Sequence, residues 1–149
     1  MQTDCKIEKN ILNIVTPCSR PENLVKCLRS FCDTTSIKWH IVFDKDVTSP
    51  NIKLNKKNVS LIKLHSDQKS HWGNCLRNMA LDKINSGYVY FLDDDNLMHP
   101  LFWNHFKNFE KGKFYTFLWD KQSKPNLIIK KFSDGGFYIT NCSHDFPNI

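Results

Sequence analysis

Strand-like and helix-like segments alternate along the first 110 residues, and this alternation constrains the possible folds more than any other feature. Short apolar runs typical of buried strands lie at 11–16, 39–43, 59–64 and 88–92. Apolar residues at helical spacing occupy 24–31 and 72–84, and a further helix is predicted after Pro100. Strands that alternate with helices in this way predict an α/β protein with a mostly parallel sheet flanked by helices.

The last 40 residues have a different pattern. Three short runs resemble strands, at 114–119, 127–132 and 137–140. The polar segments 121–126 and 134–136 read as turns, so the first two runs are predicted to form a hairpin in a short antiparallel appendix. A chain of this length supports one domain. We therefore expect a single domain over 1–149, with a main part to about residue 110 and a reduced part at about 111–149.

Composition narrows the class of protein. The formal net charge of +6 favours an anionic partner, but the basic residues are scattered and form no dense stripe typical of a nucleic-acid binder. No apolar stretch approaches the roughly 20 residues of a membrane-spanning helix, and no apolar run near the first residue indicates a secretory signal. The six cysteines include no C-x-x-C pair, so we expect reduced thiols in a cytoplasmic, reducing compartment.

Polar residues follow three of the predicted strands immediately. These strand-end segments are 16–20, 44–46 and 93–95. In open α/β sheets, ligands bind outside the carboxyl ends of the strands. The sequence therefore predicts one ligand site, built by these segments together.

Asp93, Asp94 and Asp95 form the most unusual of these segments. Neighbouring carboxylates raise one another's pKa, and a bound divalent cation would remove that cost. Oxygen ligands suit Mg²⁺ or Mn²⁺, which often complete their coordination with substrate phosphates. If the strand conformation continues, Asp93 and Asp95 lie on the same side. The alternative is a solvated turn that caps the following helix.

Arginine is scarce in this lysine-rich chain. The three arginines are Arg20, Arg29 and Arg77. Arg20 is predicted at a helix start and Arg77 on the helix that precedes the acidic run, where a guanidinium could bind phosphate in a way that lysine cannot reproduce. The alternative for both is an exposed surface side chain.

Two segments resemble the GT-A-fold glycosyltransferases. The run V-T-P-C-S-R-P at 15–21, followed by a helix, looks like the first strand and loop of that fold. The run R-N-M-A-L at 77–81, followed by G-Y-V-Y-F-L-D-D-D-N at 87–96, is similar to the segment that leads to the DxD motif in the family 2 and glucuronyltransferase-like groups. The resemblance covers roughly residues 10–110 and implies a GT-A (Rossmann-like) fold.

The resemblance also implies a nucleotide-diphosphate sugar donor, with a UDP-sugar preferred. The donor-binding residues that it implies are Thr16, Pro17, Arg20, Asp44, Arg77, Asp93 and Asp94. Among these, Asp44 would lie near the base and Asp94 near the ribose. Asp95 would hold Mn²⁺ or Mg²⁺, with Asp93 as a further candidate ligand. The main part of the chain is then the nucleotide-binding half.

The reduced acceptor half departs from the family pattern, because only about 50 residues follow Asp95. Asp134 precedes two glycines that resemble the glycine-containing loop of the fold. Asp134 and Asp145 are the candidate catalytic bases, and either one would favour direct attack with inversion at the anomeric carbon. His144 is a candidate late metal ligand. The alternative for Asp145 and His144 is a frayed terminal segment.

The expected function is metal-dependent transfer of a sugar from a nucleotide-diphosphate sugar to an unknown glycan, protein or small-molecule acceptor. A nucleotidyltransferase is an alternative, since it also places carboxylates and a cation at strand ends. A non-catalytic nucleotide-sugar-binding protein that lacks the acceptor half is a second. Nucleic-acid binding through the positive charge ranks last.

Overall fold

The structure is a computed structural model that describes residues 10–70, 72–113, 115–118, 128–131 and 137–140, the last three ranges with side-chain detail only at Tyr115. The chain divides into two compact units, Met1–Met98 and His99–Ile149. The sequence placed its internal division somewhat later, near residue 110. No helix in the described ranges is long and apolar enough to cross a membrane.

The first unit contains a four-stranded sheet. Its strands are β1 (Leu12–Cys18), β2 (Ile37–Phe43), β3 (Val59–His65) and β4 (Tyr88–Phe91). Its helices are α1 (Leu24–Arg29), which follows a short 3₁₀ turn at Pro21–Asn23, and α2 (Asn74–Leu81). All strand pairs are parallel and the order is β3-β2-β1-β4. The predicted α/β class, with a parallel sheet flanked by helices, is confirmed.

Burial explains why these strands read as continuous apolar runs. The central strands β1 and β2 are almost entirely buried, whereas β3 at the edge alternates between buried and exposed positions. Central strands of parallel sheets are covered on both faces and therefore need apolar side chains on both. Their apolar character follows from their place in the sheet.

Helix α2 packs its apolar face on this sheet. Leu76 and Ala80 are buried against Val15 of β1 and Val42 of β2. The sequence extended this helical face to Trp72, and that assignment is wrong. The helix begins at Asn74, and the Trp72 side chain is 91% exposed. Apolar spacing alone does not distinguish a core residue from an exposed one that lies two residues before the helix.

The buried side chain of Asn13 connects β1 to the start of β4 through hydrogen bonds. Asn13 Nδ2 donates hydrogen bonds to the carbonyls of Ser86 (2.8 Å) and Tyr88 (3.1 Å). Gly87 lies between them with a φ of +90°, and a Cβ there would lie 2.7 Å from the Ile11 carbonyl oxygen. Only glycine fits this close approach without strain. The start of β4, and hence the run of aspartates that follows it, is positioned relative to β1.

The second unit contains α3 (Phe102–Phe106) and a three-stranded sheet. The strands are β5 (Thr116–Leu118), β6 (Ile128–Lys131) and β7 (Phe137–Thr140). Their order is β5-β7-β6, with β5 parallel and β6 antiparallel to β7. The predicted hairpin between the first two runs is therefore wrong, and the appendix is mixed rather than antiparallel. The tendency of a segment to form a strand is set by its local sequence, whereas its pairing partner is set by the tertiary structure. Here β7 pairs with both β5 and β6.

Candidate functional site

The carboxyl ends of the four parallel strands lie at one edge of the sheet, which we call the carboxyl edge. Here β1 separates β2 on one side from β4 on the other. This reversal of strand order is the position at which α/β sheets open a crevice for ligands. Ser19 and Arg20, which follow β1, are in direct contact there with the acidic run after β4. The third predicted segment is in contact too, because the Asp44 N–H after β2 donates to the Cys18 carbonyl at 2.9 Å.

Asp94 is the centre of this contact. Its side chain is 3% exposed. Its Oδ2 accepts hydrogen bonds from the backbone N–H groups of Ser19 and Arg20, both at 2.8 Å. Its Oδ1 accepts from Arg20 Nε at 3.0 Å and Nη2 at 2.6 Å. Both carboxylate oxygens are thus bound by the β1 loop, and Asp94 holds that loop against the acidic run.

Arg20 bridges two of the aspartates. Besides the fork on Asp94, its Nη2 lies 3.2 Å from Asp95 Oδ2. The hydrogen bond to Asp94 raises the pKa of the Arg20 guanidinium, so it stays charged. The Asp95 side chain is 45% exposed, unlike that of Asp94. Asp95 therefore faces solvent at the carboxyl edge while Asp94 does not.

Arg77 forms an ion pair with Asp93. Its Nη2 lies 2.6 Å from Asp93 Oδ1, and the Asp93 side chain is 47% exposed. Its Nη1 donates to the Trp72 carbonyl oxygen at 2.7 Å and lies 3.2 Å from Asn74 Oδ1. The guanidinium also lies 6.0 Å from the ring centroid of Phe91. These contacts hold Arg77 at the carboxyl edge and argue against a freely solvated surface arginine.

Asp44 lies directly after β2, and Pro17 lies in β1 near its carboxyl end. Asp44 Oδ1 accepts hydrogen bonds from the backbone N–H groups of Lys45 (2.8 Å) and Ser70 (2.9 Å), so it anchors the loop after β3. Pro17 packs against Gly73. The side chain of Thr16 is buried, and its hydroxyl accepts a hydrogen bond from Trp39 Nε1 at 2.9 Å. Thr16 therefore presents no side-chain atom at the surface of the site.

The residues present fit a divalent cation only in part. In the described portion of the chain, no three His, Cys, Asp or Glu side chains are grouped to hold a metal ion. The repulsion from which the sequence predicts a cation is offset here by Arg20 and Arg77. Asp93 and Asp95 are half exposed, so these two carboxylates could contribute oxygens to a cation that is completed by phosphate oxygens.

Two buried cysteines lie near Asp94, and one of them contacts the acidic run. Cys27 Sγ lies 3.4 Å from the Asn96 carbonyl oxygen and 3.7 Å from that of Asp94. Burial, with the charge of Asp94 adding to it, raises the thiol pKa to about 11 for Cys27 and about 12 for Cys18. Both cysteines are free, as predicted. A neutral thiol can donate to these carbonyls, so Cys27 positions the acidic run.

Sequence reasoning missed two residues of the carboxyl edge, Ser70 and Trp72. Ser70 acts through its backbone N–H group, which leaves no residue-type signal. The Trp-Gly pair ahead of α2 was a usable turn signal, but the apolar periodicity obscured it. Three predicted site residues, Asp134, His144 and Asp145, lie outside the described residues.

Comparison with known proteins supports the fold. No protein-family model matches the chain, and no curated protein matches it. A crystal structure of TarS from S. aureus is similar, with a TM-score of 0.53 and 17% sequence identity. The similarity covers 75% of this chain and 22% of the TarS chain, so this chain spans less than a quarter of that one. The match supports the fold alone, an α/β domain with a parallel sheet flanked by helices, as predicted.

Proposed function

We propose that this chain binds a nucleotide-diphosphate sugar at the carboxyl edge and transfers the sugar to an acceptor. The observation that carries the proposal is the arrangement of two arginines and three consecutive aspartates where β1 and β4 end. The GT-A-like strand order and the resemblance of the R-N-x-A-L and DxD segments support it. The general part of the proposal is glycosyl transfer, and the more specific part is that the donor is a UDP-sugar.

The diphosphate would lie against Arg77 and the exposed acids. Arg77 is already oriented by Trp72 and Asn74, so little side-chain entropy is lost when an anion binds. Phosphate oxygens would compete with Asp93 for the guanidinium, which binds such groups in a bidentate fork. Arg20 is committed to Asp94 and would act mainly through its charge.

The cation is a separate part of the proposal. We assign Asp95 as its main ligand and Asp93 as a second, since these two carboxylates are the exposed ones, and His144 stays a prediction outside the described residues. When bound, Mn²⁺ or Mg²⁺ would supply Lewis-acid stabilisation of the charge on the departing diphosphate. Asp94 holds the β1 loop, and its contact with a ribose stays a prediction.

The nucleoside would extend from the diphosphate towards Pro17 at the end of β1 and Asp44 after β2. That Asp44 lies near the base stays a prediction. Asp134 and Asp145 remain the candidate bases that would accept the proton of the attacking acceptor hydroxyl. Direct attack of that hydroxyl on the anomeric carbon, with departure of the nucleoside diphosphate, would invert the configuration.

Thermal denaturation with nucleoside diphosphates tests the binding site. A ligand that binds only the native state raises the melting temperature, so UDP with Mn²⁺ is expected to stabilise the chain. Asp95→Ala should lose the Mn²⁺-dependent part of that shift. Asp82→Ala is the matched control, because Asp82 is an exposed acid at the carboxyl-terminal end of α2 and, among the described residues, takes no part in the side-chain contacts of the carboxyl edge. No shift with any nucleoside diphosphate would overturn the proposed site.

Analysis of the products tests the reaction. Incubation with a UDP-sugar and Mn²⁺ should release UDP, and Asp95→Ala should abolish this release while the fold persists. Release of pyrophosphate from a nucleoside triphosphate and a sugar phosphate would identify a nucleotidyltransferase instead. Donor binding without turnover in the presence of any acceptor or water would identify a binding protein.

A further inference from the structure

Trp72 is the most exposed large apolar side chain in the described part of the chain, at 91%. Its backbone has a φ of +63°, in the left-handed region that residues other than glycine rarely adopt. A large aromatic residue in this conformation is strained, and strain of this kind persists only where the surroundings impose it. The surroundings of Trp72 therefore impose this backbone conformation, and the indole ring projects into solvent.

The backbone is anchored on both sides of Trp72. Two residues earlier, the Ser70 N–H donates to Asp44 Oδ1 at 2.9 Å. One residue later, Gly73 has a φ of +73°. It packs so closely against Pro17 that a Cβ at this position would lie 3.1 Å from Pro17 Cβ. The Trp72 carbonyl accepts from Arg77 Nη1 at 2.7 Å. The indole thus projects from a segment whose backbone is tied to two strand ends and to α2.

These anchors place Trp72 on one side of the carboxyl edge. Asp44 follows β2 and Pro17 belongs to the end of β1, whereas Asp93 and Asp95 follow β4, across β1 from β2. Arg77 links the two sides, because one guanidinium contacts both the Trp72 carbonyl and Asp93. A ligand whose phosphates meet Arg77 and the exposed acids would lie beside the segment that carries the exposed indole of Trp72.

We propose that the indole of Trp72 stacks on the nucleobase of the donor. This inference rests on the proposed function, which puts a nucleoside diphosphate at the carboxyl edge. Every nucleobase has a π-face, so stacking would give affinity without base selectivity, and Asp44 would be left to read the base edge. The strained, anchored backbone fixes the position from which the ring projects before the ligand binds, so less backbone entropy is lost on binding.

Calorimetry on the full-length chain in Mn²⁺ buffer tests this inference with two ligands, UDP and inorganic pyrophosphate. Trp72→Ala should weaken UDP binding by about tenfold to a hundredfold, the usual range for the loss of one stacking contact. Pyrophosphate affinity should be unchanged, because pyrophosphate has no base. Trp72→Phe should restore most of the UDP affinity, since a phenyl ring also stacks.

Tryptophan fluorescence gives a second readout. Stacking on Trp72 should quench emission when UDP binds, and the quenching should be absent in Trp72→Phe. Trp103→Phe is the matched control, because Trp103 lies on α3 in the second unit and should leave the quenching intact.

The outcomes separate this inference from the proposed function. If wild type and Trp72→Ala bind UDP equally, the stacking role is overturned and the donor site stands. If Trp72→Ala loses affinity for pyrophosphate and UDP alike, Trp72 supports Arg77 and does not stack on a base, which also overturns the inference. If wild type binds neither ligand, both proposals are overturned.

Discussion

At the scale of single residues, three adjacent aspartates have three different environments. Asp94 is buried and bound by five hydrogen bonds from the β1 loop and Arg20, one of them from the Ser19 hydroxyl at 3.4 Å. Asp93 and Asp95 are half exposed, and each has one arginine partner. Burial of a carboxylate is costly unless its oxygens are hydrogen-bonded, so Asp94 is the structural member of the run. The exposed pair remains for a ligand.

The aspartate run therefore yields a stability prediction. Asp94→Asn should lower the free energy of unfolding by about 2 kcal/mol, because an amide cannot accept from all of these donors and leaves buried N–H groups unsatisfied. This is less than the roughly 3–5 kcal/mol for breaking a fully buried pair, since Arg20 is itself half exposed. Asp95→Asn should cost less than about 1 kcal/mol. Urea denaturation of both variants measures the difference, and equal losses would contradict the assigned roles.

At the scale of secondary-structure elements, buried polar contacts fix how strands β1, β2 and β4 are positioned against one another. Asn13 on β1 donates to the carbonyls at the start of β4 and faces His40 on β2, whose Nε2 lies 3.1 Å from Asn13 Oδ1. Because Oδ1 can only accept, His40 carries its proton on Nε2. His40 Nδ1 is buried without a hydrogen-bond partner among the described residues. A second proton would have to be placed on this buried nitrogen.

This geometry predicts a dependence of stability on pH. Burial, with the charge of Lys38 adding to it, lowers the pKa of His40 below the ordinary value of 6.5. Between the folded and unfolded values the unfolded chain binds more protons, so this contribution is fully present above pH 6.5 and is lost as the pH falls towards the folded pKa.

Urea midpoints at pH 7.5 and 5.5 measure the effect of His40. Wild type should lose more stability between these pH values than His40→Gln, which can still donate to Asn13 Oδ1 but does not titrate. The same loss in the two proteins would show that the pH dependence comes from other groups.

At the scale of the whole molecule, the described contacts of the proposed donor site all lie within Met1–Met98. Arg20, Arg77 and the acidic run contact one another and the loops of the first unit. The candidate bases Asp134 and Asp145 stay predictions outside the described residues, and both come after residue 98 in the sequence. We therefore expect residues 1–98 to hold the donor site without either candidate base.

Separating the units tests this division. A fragment of residues 1–98 should bind UDP and Mn²⁺ with the affinity of the full chain, because it keeps its own core and all described site contacts. It should not transfer sugar, since it lacks both candidate bases. Calorimetry and measurement of UDP release check the two halves of this prediction. Transfer by the fragment would exclude Asp134 and Asp145 as the base.

The sequence by itself determined the alternation of strands and helices, the parallel sheet and the placement of polar segments after β1, β2 and β4, because these follow from local apolar periodicity. The tertiary structure alone decided that Asp94 is buried and Asp95 exposed, that Trp72 projects into solvent, and that β7 pairs with both β5 and β6. Each of these depends on which distant group supplies a hydrogen bond or a packing surface, such as the N–H groups of the β1 loop for Asp94. A local pattern carries no information about such partners.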